Sequence, residues 1–328
     1  MPLKRNLKNV LFIMDPLEHL DPRWDNSLAL ARELNQRGTI CWTTDTPGIH
    51  LEHGKVWVHA KPLSAGQTGR FKTDSAQHRP LHTFDLALIR KEPPFHMGYY
   101  AMTLILDHAS IPIVNNPCGI RNANEKMWGL RFTRLTPETL ISASPAELVR
   151  FGKQFKDGFV IKPLNEKGGR GIFKVEHITA GIRKRIEAAS AGGTEALVCQ
   201  RFLKHAGGID KRIVILDGKV LCAFEKHPSK KDFRANLGLG ATAHPTRLTA
   251  ADLKIVKTLS QPLRQAGLFL AGLDVMAGKL LEVNVTSPAG MTDAEALYPG
   301  GNFIAAWADW LERFSQRLVL RQPHQPSR

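Results

Sequence analysis

Residues 272–285 read GLDVMAGKLLEVNV and place two apolar runs on either side of Ala277-Gly278. This pattern is typical of a β-hairpin. Three residues with hard oxygen ligands interrupt the apolar runs, namely Asp274, Glu282 and Asn284. Because an uncompensated carboxylate is costly to bury, the pattern favours either a bound cation or a plain amphipathic hairpin with one face in water.

The length of the turn decides whether the three ligands share a face. Glu282 and Asn284 lie two apart on one strand and therefore point to the same side. A two-residue turn would pair Asp274 with Leu281, whereas a three-residue loop over 277–279 would pair Asp274 with Glu282. Glycine suits the positive φ of such loops, so we predict the three-residue loop. The expected occupant is magnesium, held by these ligands and by substrate phosphates.

A second hairpin is predicted around 165–170, where the sequence NEKGGR separates two apolar runs. Gly168 and Gly169 can bring backbone N–H groups close to a phosphate, and Lys162 on the preceding strand supplies a positive charge. The chain has no Walker A string, and an ordinary turn would look the same. Phosphate binding and a plain turn therefore both remain open.

Two charged clusters stand at the ends of predicted strands. Asp210-Lys211-Arg212 begins one strand, where Arg212 could clamp a phosphate and Asp210 could accept hydrogen bonds from a ribose. A surface cluster of ion pairs is the alternative. Arg90 ends a strand near the N-terminus, and ligands of open α/β sheets bind beyond the carboxyl ends of strands.

The first part of the chain alternates apolar strands with helices, which predicts a parallel sheet covered by helices. We assign it to a domain of residues 1–124. Its predicted elements are strands at 10–14, 39–44, 84–90 and 111–114, and helices around 28–34 and 99–108.

Two further lobes are predicted after this domain. The first, 125–204, contains a capped helix at 144–155 and the glycine-rich hairpin. The second, 205–318, contains two hairpins and a helix at 250–265. Between its hairpins runs a basic loop, 226–247, whose length is typical of a lid. The polar tail 319–328 is expected to be flexible.

Composition excludes several classes of protein. Hydrophobic residues make up 43% and charged residues 23% of the 328, as in ordinary globular proteins. The net charge of +15 attracts anions in general, but the basic residues are dispersed and no stacking pattern accompanies them. Apolar runs are strand-sized and the N-terminus leads into a strand. We expect a cytoplasmic protein that binds neither nucleic acid nor a membrane.

Cysteine and histidine spacings indicate no disulfide and no zinc site. The four cysteines are far apart and form no C-x-x-C pair, and three lie in apolar contexts that suggest buried thiols. His78 and His82 have the spacing of metal ligands on a helix. Pro80 between them argues against a helix, so this pair does not predict a zinc site.

Several strings, taken in order, resemble those of the bacterial glutathione synthetases, a family of the ATP-grasp superfamily. The specific ones are RKEPPF at 90–95 and EVNVTSP at 282–288, with NEK at 124–126 and DKR at 210–212 between them. The resemblance covers roughly residues 8 to 315. It implies an α/β protein with an ATP-grasp fold and an N-terminal parallel α/β (pre-ATP-grasp) domain.

The resemblance also implies a reaction. ATP would phosphorylate the C-terminal carboxylate of γ-glutamylcysteine, and the amine of glycine would then displace phosphate to give glutathione, with release of ADP. The cofactors would be ATP and Mg²⁺, with Mn²⁺ as the alternative ion. The partners would be small-molecule substrates, and we expect a homo-oligomer. No protein nucleophile is needed, because positioning and cations carry this chemistry.

Site residues follow from the resemblance, motif by motif. The nucleotide would be bound by Lys126, Lys162, Gly168, Gly169, Gln200, Phe202, Leu203, Asp210 and Arg212. Asp274, Glu282 and Asn284 would hold the metal; Arg212 and Arg234 would be catalytic; and Arg90, Arg234, Asn284 and Ser287 would meet the peptide substrate.

The sequence departs from the family pattern in two places. An arginine and a glutamate are expected shortly after the T-S-P string, where this chain has AGMTD at 289–293. The glycine-rich end of the lid, GLGAT at 238–242, lacks the expected arginine. These changes keep open an alternative function, an ATP-grasp peptide ligase that uses a different donor or acceptor amine.

Overall fold

Three β-sheets organise the chain, and each is built by a different part of the sequence. The computed structural model describes residues 7–66, 70–230 and 232–319. The first sheet lies before residue 115, the second within 139–201 and the third within 210–284. None of the described helices is both long and apolar enough to cross a membrane.

The first sheet has a parallel centre. Its strands β2, β1, β7 and β8 pair in this order and all in parallel, which confirms the predicted parallel α/β domain. β1 is an apolar run with four of its five residues buried, as expected for a central strand. The elements are β1 (Asn9–Ile13), α1 (Asn26–Gln36), β2 (Ile40–Thr44), β3 (Ile49–Glu52), β4 (Lys55–Ala65), β5 (Phe71–Thr73), β6 (Gln77–Pro80), β7 (Leu86–Ile89), α2 (Met97–Leu106), β8 (Ile113–Val114) and α3 (Pro117–Asn122).

An antiparallel extension of this sheet was not predicted. β4 pairs antiparallel with β2, β3, β5 and β6. Along β4, Val56, Val58 and Ala60 are buried, whereas Trp57 and His59 point to the opposite face, as the period of two requires. β5 and β6 have three and four residues and are mostly polar, so their sequence carries little strand signal.

The second sheet is antiparallel, in the order β11-β10-β12-β9. The predicted glycine-rich hairpin is present as β10 paired with β11. Ser144 caps the predicted helix by accepting a hydrogen bond from the backbone N–H of Glu147, at 3.4 Å. The elements are β9 (Thr139–Ser142), α4 (Pro145–Gly152), β10 (Phe159–Pro163), β11 (Phe173–Val175), α5 (Ala180–Ala189) and β12 (Leu197–Arg201).

The third sheet is also antiparallel, in the order β15-β14-β13-β16-β17. The predicted loop 226–247 is shorter than expected, because Lys226 and His227 end β14 and because β15 pairs with β14. Residues 228–241 remain as a connection between these strands. The elements are β13 (Asp210–Leu216), β14 (Lys219–His227), β15 (Thr242–Pro245), α6 (Ala250–Gln265), β16 (Leu270–Met276), β17 (Lys279–Asn284), α7 (Met291–Leu297) and α8 (Phe303–Val319).

The hairpin β16–β17 has the predicted pairing but not the predicted turn. Asp274 faces Glu282, as expected, yet Met276 pairs with Lys279, which leaves a two-residue turn at Ala277-Gly278. The three-residue loop was therefore wrong. A β-bulge supplies the missing residue instead, because the register shifts between Asp274 and Val275.

The residue type at the turn predicts a stabilising substitution. Ala277 and Gly278 have φ of 49° and 71°, the left-handed backbone of a type I′ turn, and alanine is strained there. Ala277→Asn should raise the free energy of unfolding by about 0.5–1 kcal/mol, measured by urea denaturation. Ala277→Val should lower it, because a β-branched side chain tolerates this backbone poorly. Equal stability of the two variants would contradict the assignment of strain.

The first and third sheets share hydrophobic cores, whereas the second sheet has its own. One shared core joins Leu11 and Ile13 of β1 to Ile213 and Leu273 of the third sheet. The core of the second sheet is drawn only from residues within 148–199. The second sheet therefore has a core of its own, whereas Trp128, which precedes this sheet in the chain, belongs to the core shared by the other two sheets.

The last helix, α8, lies against the N-terminal helix α1. Arg37 after α1 binds Asp309 at 2.6 Å and Glu312 at 3.3 Å, and Trp307 is fully buried in the second shared core. Sequence analysis did not predict this helix. Of the predicted flexible tail, Val319 ends α8 and 320–328 lie outside the described residues.

Candidate active site

A cleft lies between the second and third sheets. All the residues that line it come from Glu125 or later in the sequence. Apolar and charged side chains both face it, and the connection after β14 closes one side through Phe233 and Arg234. Thirteen of the residues singled out from the sequence line it: Lys126, Lys162, Gly168, Gly169, Gln200, Phe202, Leu203, Asp210, Arg212, Arg234, Asp274, Glu282 and Asn284.

The three oxygen ligands of the β16–β17 hairpin come together at the floor of the cleft. Asp274 and Glu282 are cross-strand partners, and Asn284 donates from Nδ2 to Asp274 Oδ2 at 3.0 Å. The same amide also donates to the carbonyl of Gly272, at 3.1 Å. A set of two carboxylates and one amide oxygen suits Mg²⁺, which takes oxygen ligands and keeps part of its shell for phosphates.

Two buried cations neutralise Asp274. Arg212 makes a two-pronged contact, Nε to Oδ1 at 3.0 Å and Nη2 to Oδ2 at 3.3 Å. Lys226 Nζ lies 2.9 Å from Asp274 Oδ1. Burial acts to raise the pKa of Asp274, but Arg212 and Lys226 outweigh burial and hold that pKa well below its ordinary value. Arg212 and Lys226 therefore favour the ionised form of Asp274.

Lys226 was missed by sequence analysis as a site residue. Its Nζ also binds Asp210 Oδ2 at 2.7 Å, so one ammonium bridges two buried carboxylates. The sequence placed Lys226 in the lid loop, whereas it is the second-last residue of β14 and lies directly opposite Asp210. Extending the alternation of that strand by one residue would have found it.

Asp210 carries an unsatisfied atom. Its Oδ1 is buried and has no hydrogen-bond partner among the described residues. Orphaned buried acceptors are rare, and a ligand hydroxyl is a natural partner for one in a cleft. Burial raises the pKa of Asp210 above its ordinary value of 3.8, and Lys226 acts in the opposite direction.

This raised pKa predicts how stability depends on pH. Between its ordinary pKa of 3.8 and its pKa of about 7 in the folded chain, Asp210 is mostly ionised when unfolded and mostly protonated when folded. Rising pH towards neutrality therefore favours unfolding, by at most about 1.4 kcal/mol per pH unit for one proton. Asp210→Asn removes this contribution, so its stability relative to wild type should increase with pH in urea denaturation.

A surface aspartate provides the control for this measurement. Asp157 has a partly exposed carboxylate 3.7 Å from Lys204. Asp157→Asn makes the same change of carboxyl to amide and should change the free energy of unfolding by less than about 1 kcal/mol. A stability difference between Asp210→Asn and wild type that is the same at about pH 5 and about pH 8 would contradict the assignment.

The phosphate side of the cleft combines two buried lysines with the glycine turn. Lys126 Nζ donates to the carbonyl of Glu166 at 2.6 Å, and Lys162 Nζ lies 3.6 Å from Glu282 Oε1. Gly168 and Gly169 have φ of 66° and 75°, which only glycine adopts easily. The turn thus exposes backbone in front of two positive charges, an arrangement suited to phosphates.

An apolar slot beside β12 suits a purine ring. Phe202 and Leu203 line it, and the Phe202 ring is flanked by Lys174 Nζ at 4.0 Å from its centroid. Phe233 of the lid meets Phe202 edge to face, with centroids 6.3 Å apart. Gln200 donates to Thr139 Oγ1 at 2.9 Å, which fixes its amide.

Two family models match this chain, one on each side of residue 124. Residues 9–121 match the family model "Prokaryotic glutathione synthetase, N-terminal domain". Residues 125–299 match "Prokaryotic glutathione synthetase, ATP-grasp domain". The chain belongs to the prokaryotic glutathione synthetase family. This membership confirms the predicted resemblance and makes the chain an ATP-dependent ligase.

Curated relatives match nearly the whole of this chain. The glutathione synthetase of Thermosynechococcus vestitus (strain NIES-2133 / IAM M-273 / BP-1) is 33% identical over 315 residues, covering 91% of this chain and 99% of the relative. That of Gloeobacter violaceus (strain ATCC 29082 / PCC 7421) is 32% identical over 322 residues, covering 95% and 99%.

Solved structures show the same fold at lower identity. D-cycloserine synthetase DcsG aligns with a TM-score of 0.66 at 12% identity, covering 94% of this chain and 99% of that one. The ATP-grasp ligase PsnB, in complex with a precursor variant, Mg and ADP, aligns with a TM-score of 0.60 at 20% identity, covering 94% and 100%. These alignments confirm the ATP-grasp fold.

Two residues that the family resemblance assigned to the substrate lie outside the cleft lining. Arg90 is buried; it donates from Nε to Ser27 Oγ at 3.0 Å and from Nη2 to the Pro288 carbonyl at 2.9 Å. Burial lowers its pKa to about 10, and its Nη1 has no partner among the described residues. Ser287 is half-buried next to Pro288. Their role in substrate binding stays a prediction.

Glu125 is a second site residue that sequence analysis missed. Its carboxylate lines the cleft and accepts hydrogen bonds from the N–H groups of Val285 and Thr286 and from Thr286 Oγ1, at 2.9, 3.1 and 2.8 Å. Burial raises its pKa, and these hydrogen bonds act against that rise. Glu125 thus ties the start of the ATP-grasp domain to the strand that carries Glu282.

The segment that departs from the family pattern packs against the N-terminal domain. Thr292 Oγ1 donates to the Trp24 carbonyl at 2.9 Å and accepts from Asn26 Nδ2 at 3.1 Å. The carbonyl of Ala289 accepts from Arg212 Nη1 at 3.2 Å. The segment 289–293 therefore supports Arg212 through its backbone, whatever its side chains recognise.

Proposed function

We propose that this chain joins γ-glutamylcysteine to glycine and so makes glutathione, with cleavage of ATP to ADP and phosphate. The observation that carries the proposal is the cleft that Asp274, Glu282 and Asn284 line together with the cations Lys126, Lys162 and Arg212. Relatives named glutathione synthetase, about a third identical over nearly the whole chain, support the substrate assignment. They do not favour the alternative of a different donor or amine.

The proposed reaction has two steps, phosphoryl transfer and amide formation. A carboxylate oxygen of the donor attacks the γ-phosphorus of ATP, and ADP leaves. The amine of glycine then attacks the acyl carbon, loses a proton, and the phosphate leaves with its oxygen. Both steps concentrate negative charge, so Lys126, Lys162 and Arg212 contribute by neutralising and positioning it.

We propose Mg²⁺ as the metal and Asp274, Glu282 and Asn284 as its ligands, with Mn²⁺ as the second ion to test. When bound, the ion neutralises charge on the transferred phosphoryl group. Asp274 is prepared for this role because its pKa is held low. Arg212 and Lys226 compensate the carboxylate in the absence of the ion, as the distances of 3.0 and 2.9 Å show.

The lid excludes water from the acyl phosphate. Arg234 is held by Asp232 and donates from Nη1 to the Gly169 carbonyl at 2.6 Å, so the lid meets the glycine turn. An acyl phosphate hydrolyses readily, and a closed site prevents this loss. We propose that Arg234 is the lid residue that reaches the reacting groups.

A single assay tests the proposed function. ADP release is measured with ATP, Mg²⁺ and γ-glutamylcysteine, supplied in turn with glycine, β-alanine, serine or no amine. Turnover with glycine well above the other reactions is expected. Turnover only with another amine or donor would support the alternative ligase, and no turnover with any pair would overturn the proposal.

Three accompanying assignments stay predictions. The domain limits at 124 and 204 can be tested by limited proteolysis, which cuts where few contacts cross. The homo-oligomer can be tested by light scattering of the purified chain. The cytoplasmic location can be tested by cell fractionation.

A further inference from the structure

The antiparallel extension of the first sheet carries three histidines on one face. His50 lies on β3, His59 on β4 and His78 on β6. His59 and His78 are direct cross-strand partners, and His50 pairs with Trp57, two residues from His59 on the same face. The strands themselves therefore bring the three imidazoles together.

The nitrogen atoms are close enough to share an ion. Nε2 of His50 lies 3.1 Å from Nε2 of His78, and one ring nitrogen from each histidine lies within 4.8 Å of those of the other two. Two nitrogens on a tetrahedral Zn²⁺ ion are about 3.3 Å apart, given Zn–N bonds of about 2.0–2.1 Å. Small side-chain rotations would bring the third nitrogen to that separation.

The rings are also held in place. Those of His50 and His78 are parallel within 5°, with centroids 5.2 Å apart. Trp57 stacks on His78 with centroids 4.7 Å apart. His59 and His78 are exposed, so an ion can reach the group from solvent. Such ordering lowers the entropy cost of binding.

We propose that His50, His59 and His78 form a binding site for a divalent transition metal ion, with Zn²⁺ as the natural occupant and a fourth position open to solvent. Three neutral imidazoles are a ligand set that Zn²⁺ accepts and that Mg²⁺ does not prefer. The site is separate from the ATP cleft, because all the residues that line the cleft come from Glu125 or later in the sequence. The ion would link β3, β4 and β6 through side chains on the face opposite to the buried Val56, Val58 and Ala60.

Sequence spacing had pointed to a different partner for His78. His82 stands four residues later but lies on the 3₁₀ turn after Pro80. It is exposed and is not in the histidine group. His82 therefore serves as the matched control.

Zn²⁺ titration of the full chain by calorimetry, at slightly alkaline pH and without nucleotide, tests the site. Wild type and His82→Ala should bind one Zn²⁺ per chain, and His59→Ala or His78→Ala should bind at least about tenfold more weakly. Cys118 has an exposed thiol, so Cys118→Ser should also bind as wild type does. Equal affinity in all variants, no binding by wild type, or loss of binding in Cys118→Ser would overturn the proposal.

Two further readouts separate this site from the ligase. Zn²⁺ should raise the thermal unfolding temperature of wild type and of His82→Ala but not that of His59→Ala. Mg²⁺-dependent ADP release by His59→Ala should match wild type, because the histidines do not line the cleft. A temperature shift that persists in His59→Ala would contradict the assignment even if ligase activity is absent.

Discussion

Replacing Glu282 by glutamine is expected to reduce ATP turnover by at least about 10³-fold, because it removes one of two carboxylates available to the metal. Glutamine keeps the length of the side chain and an oxygen that faces Lys162, which lies 3.6 Å from Glu282 in the folded chain. The fold should therefore survive. The measurement is ADP release with both substrates, together with urea denaturation.

A glutamate of similar chemistry serves as the control for this variant. Glu147 pairs with Arg150 at 2.7 Å on the exposed surface of α4. Glu147→Gln should keep full turnover and change the free energy of unfolding by less than about 1 kcal/mol. Wild-type turnover in Glu282→Gln would remove Glu282 from the metal site.

Arg212→Ala is expected to lower both stability and turnover. The guanidinium binds the buried Asp274 and the Ala289 carbonyl, and its loss leaves a buried carboxylate with Lys226 as its remaining cation. We expect a loss of about 3 kcal/mol in the free energy of unfolding. Turnover should fall by at least about 10²-fold, because the charge facing the phosphates is lost as well.

Two companion variants separate the structural from the chemical part. Adding Asp274→Asn to Arg212→Ala should recover part of the stability, since no buried charge remains unpaired, and should not recover turnover. Arg264, half-exposed and 3.1 Å from Asp217, is the control, and Arg264→Ala should cost less than about 1 kcal/mol. A loss of stability in the double variant as large as that in Arg212→Ala would contradict the unpaired carboxylate as its cause.

Sequence analysis identified thirteen residues that line the cleft, but it missed contacts made by Lys226 and Glu125. Apolar strands interrupted by Asp274, Glu282 and Asn284 indicated a metal site because burial makes isolated charges costly. Lys226 and Glu125 were missed because each acts through a partner distant in sequence. Asp210 and Lys226 are 16 residues apart yet face each other across β13 and β14.

The fold was predictable where one strand or helix has a strong pattern of its own. α6 spans the predicted residues 250–265, and β10 spans 159–163. The bulge in the β16–β17 hairpin could not be predicted from the sequence, because nothing in either strand alone indicates that Leu281 lacks a cross-strand partner. The polar strands β5 and β6 form because each pairs with β4. Their own residues carry little strand propensity, so the sequence alone does not predict them.

Because the second sheet packs its own apolar core, its links to the rest of the cleft are largely polar. Lys167 binds Glu92, Lys162 faces Glu282, and Arg234 reaches the Gly169 carbonyl. Contacts of this kind can be exchanged for water at little net cost, whereas opening an apolar core cannot. Entry of a nucleotide therefore requires rehydration of a few charged groups and no opening of an apolar core, and slow amide exchange within the three cores should persist throughout the catalytic cycle.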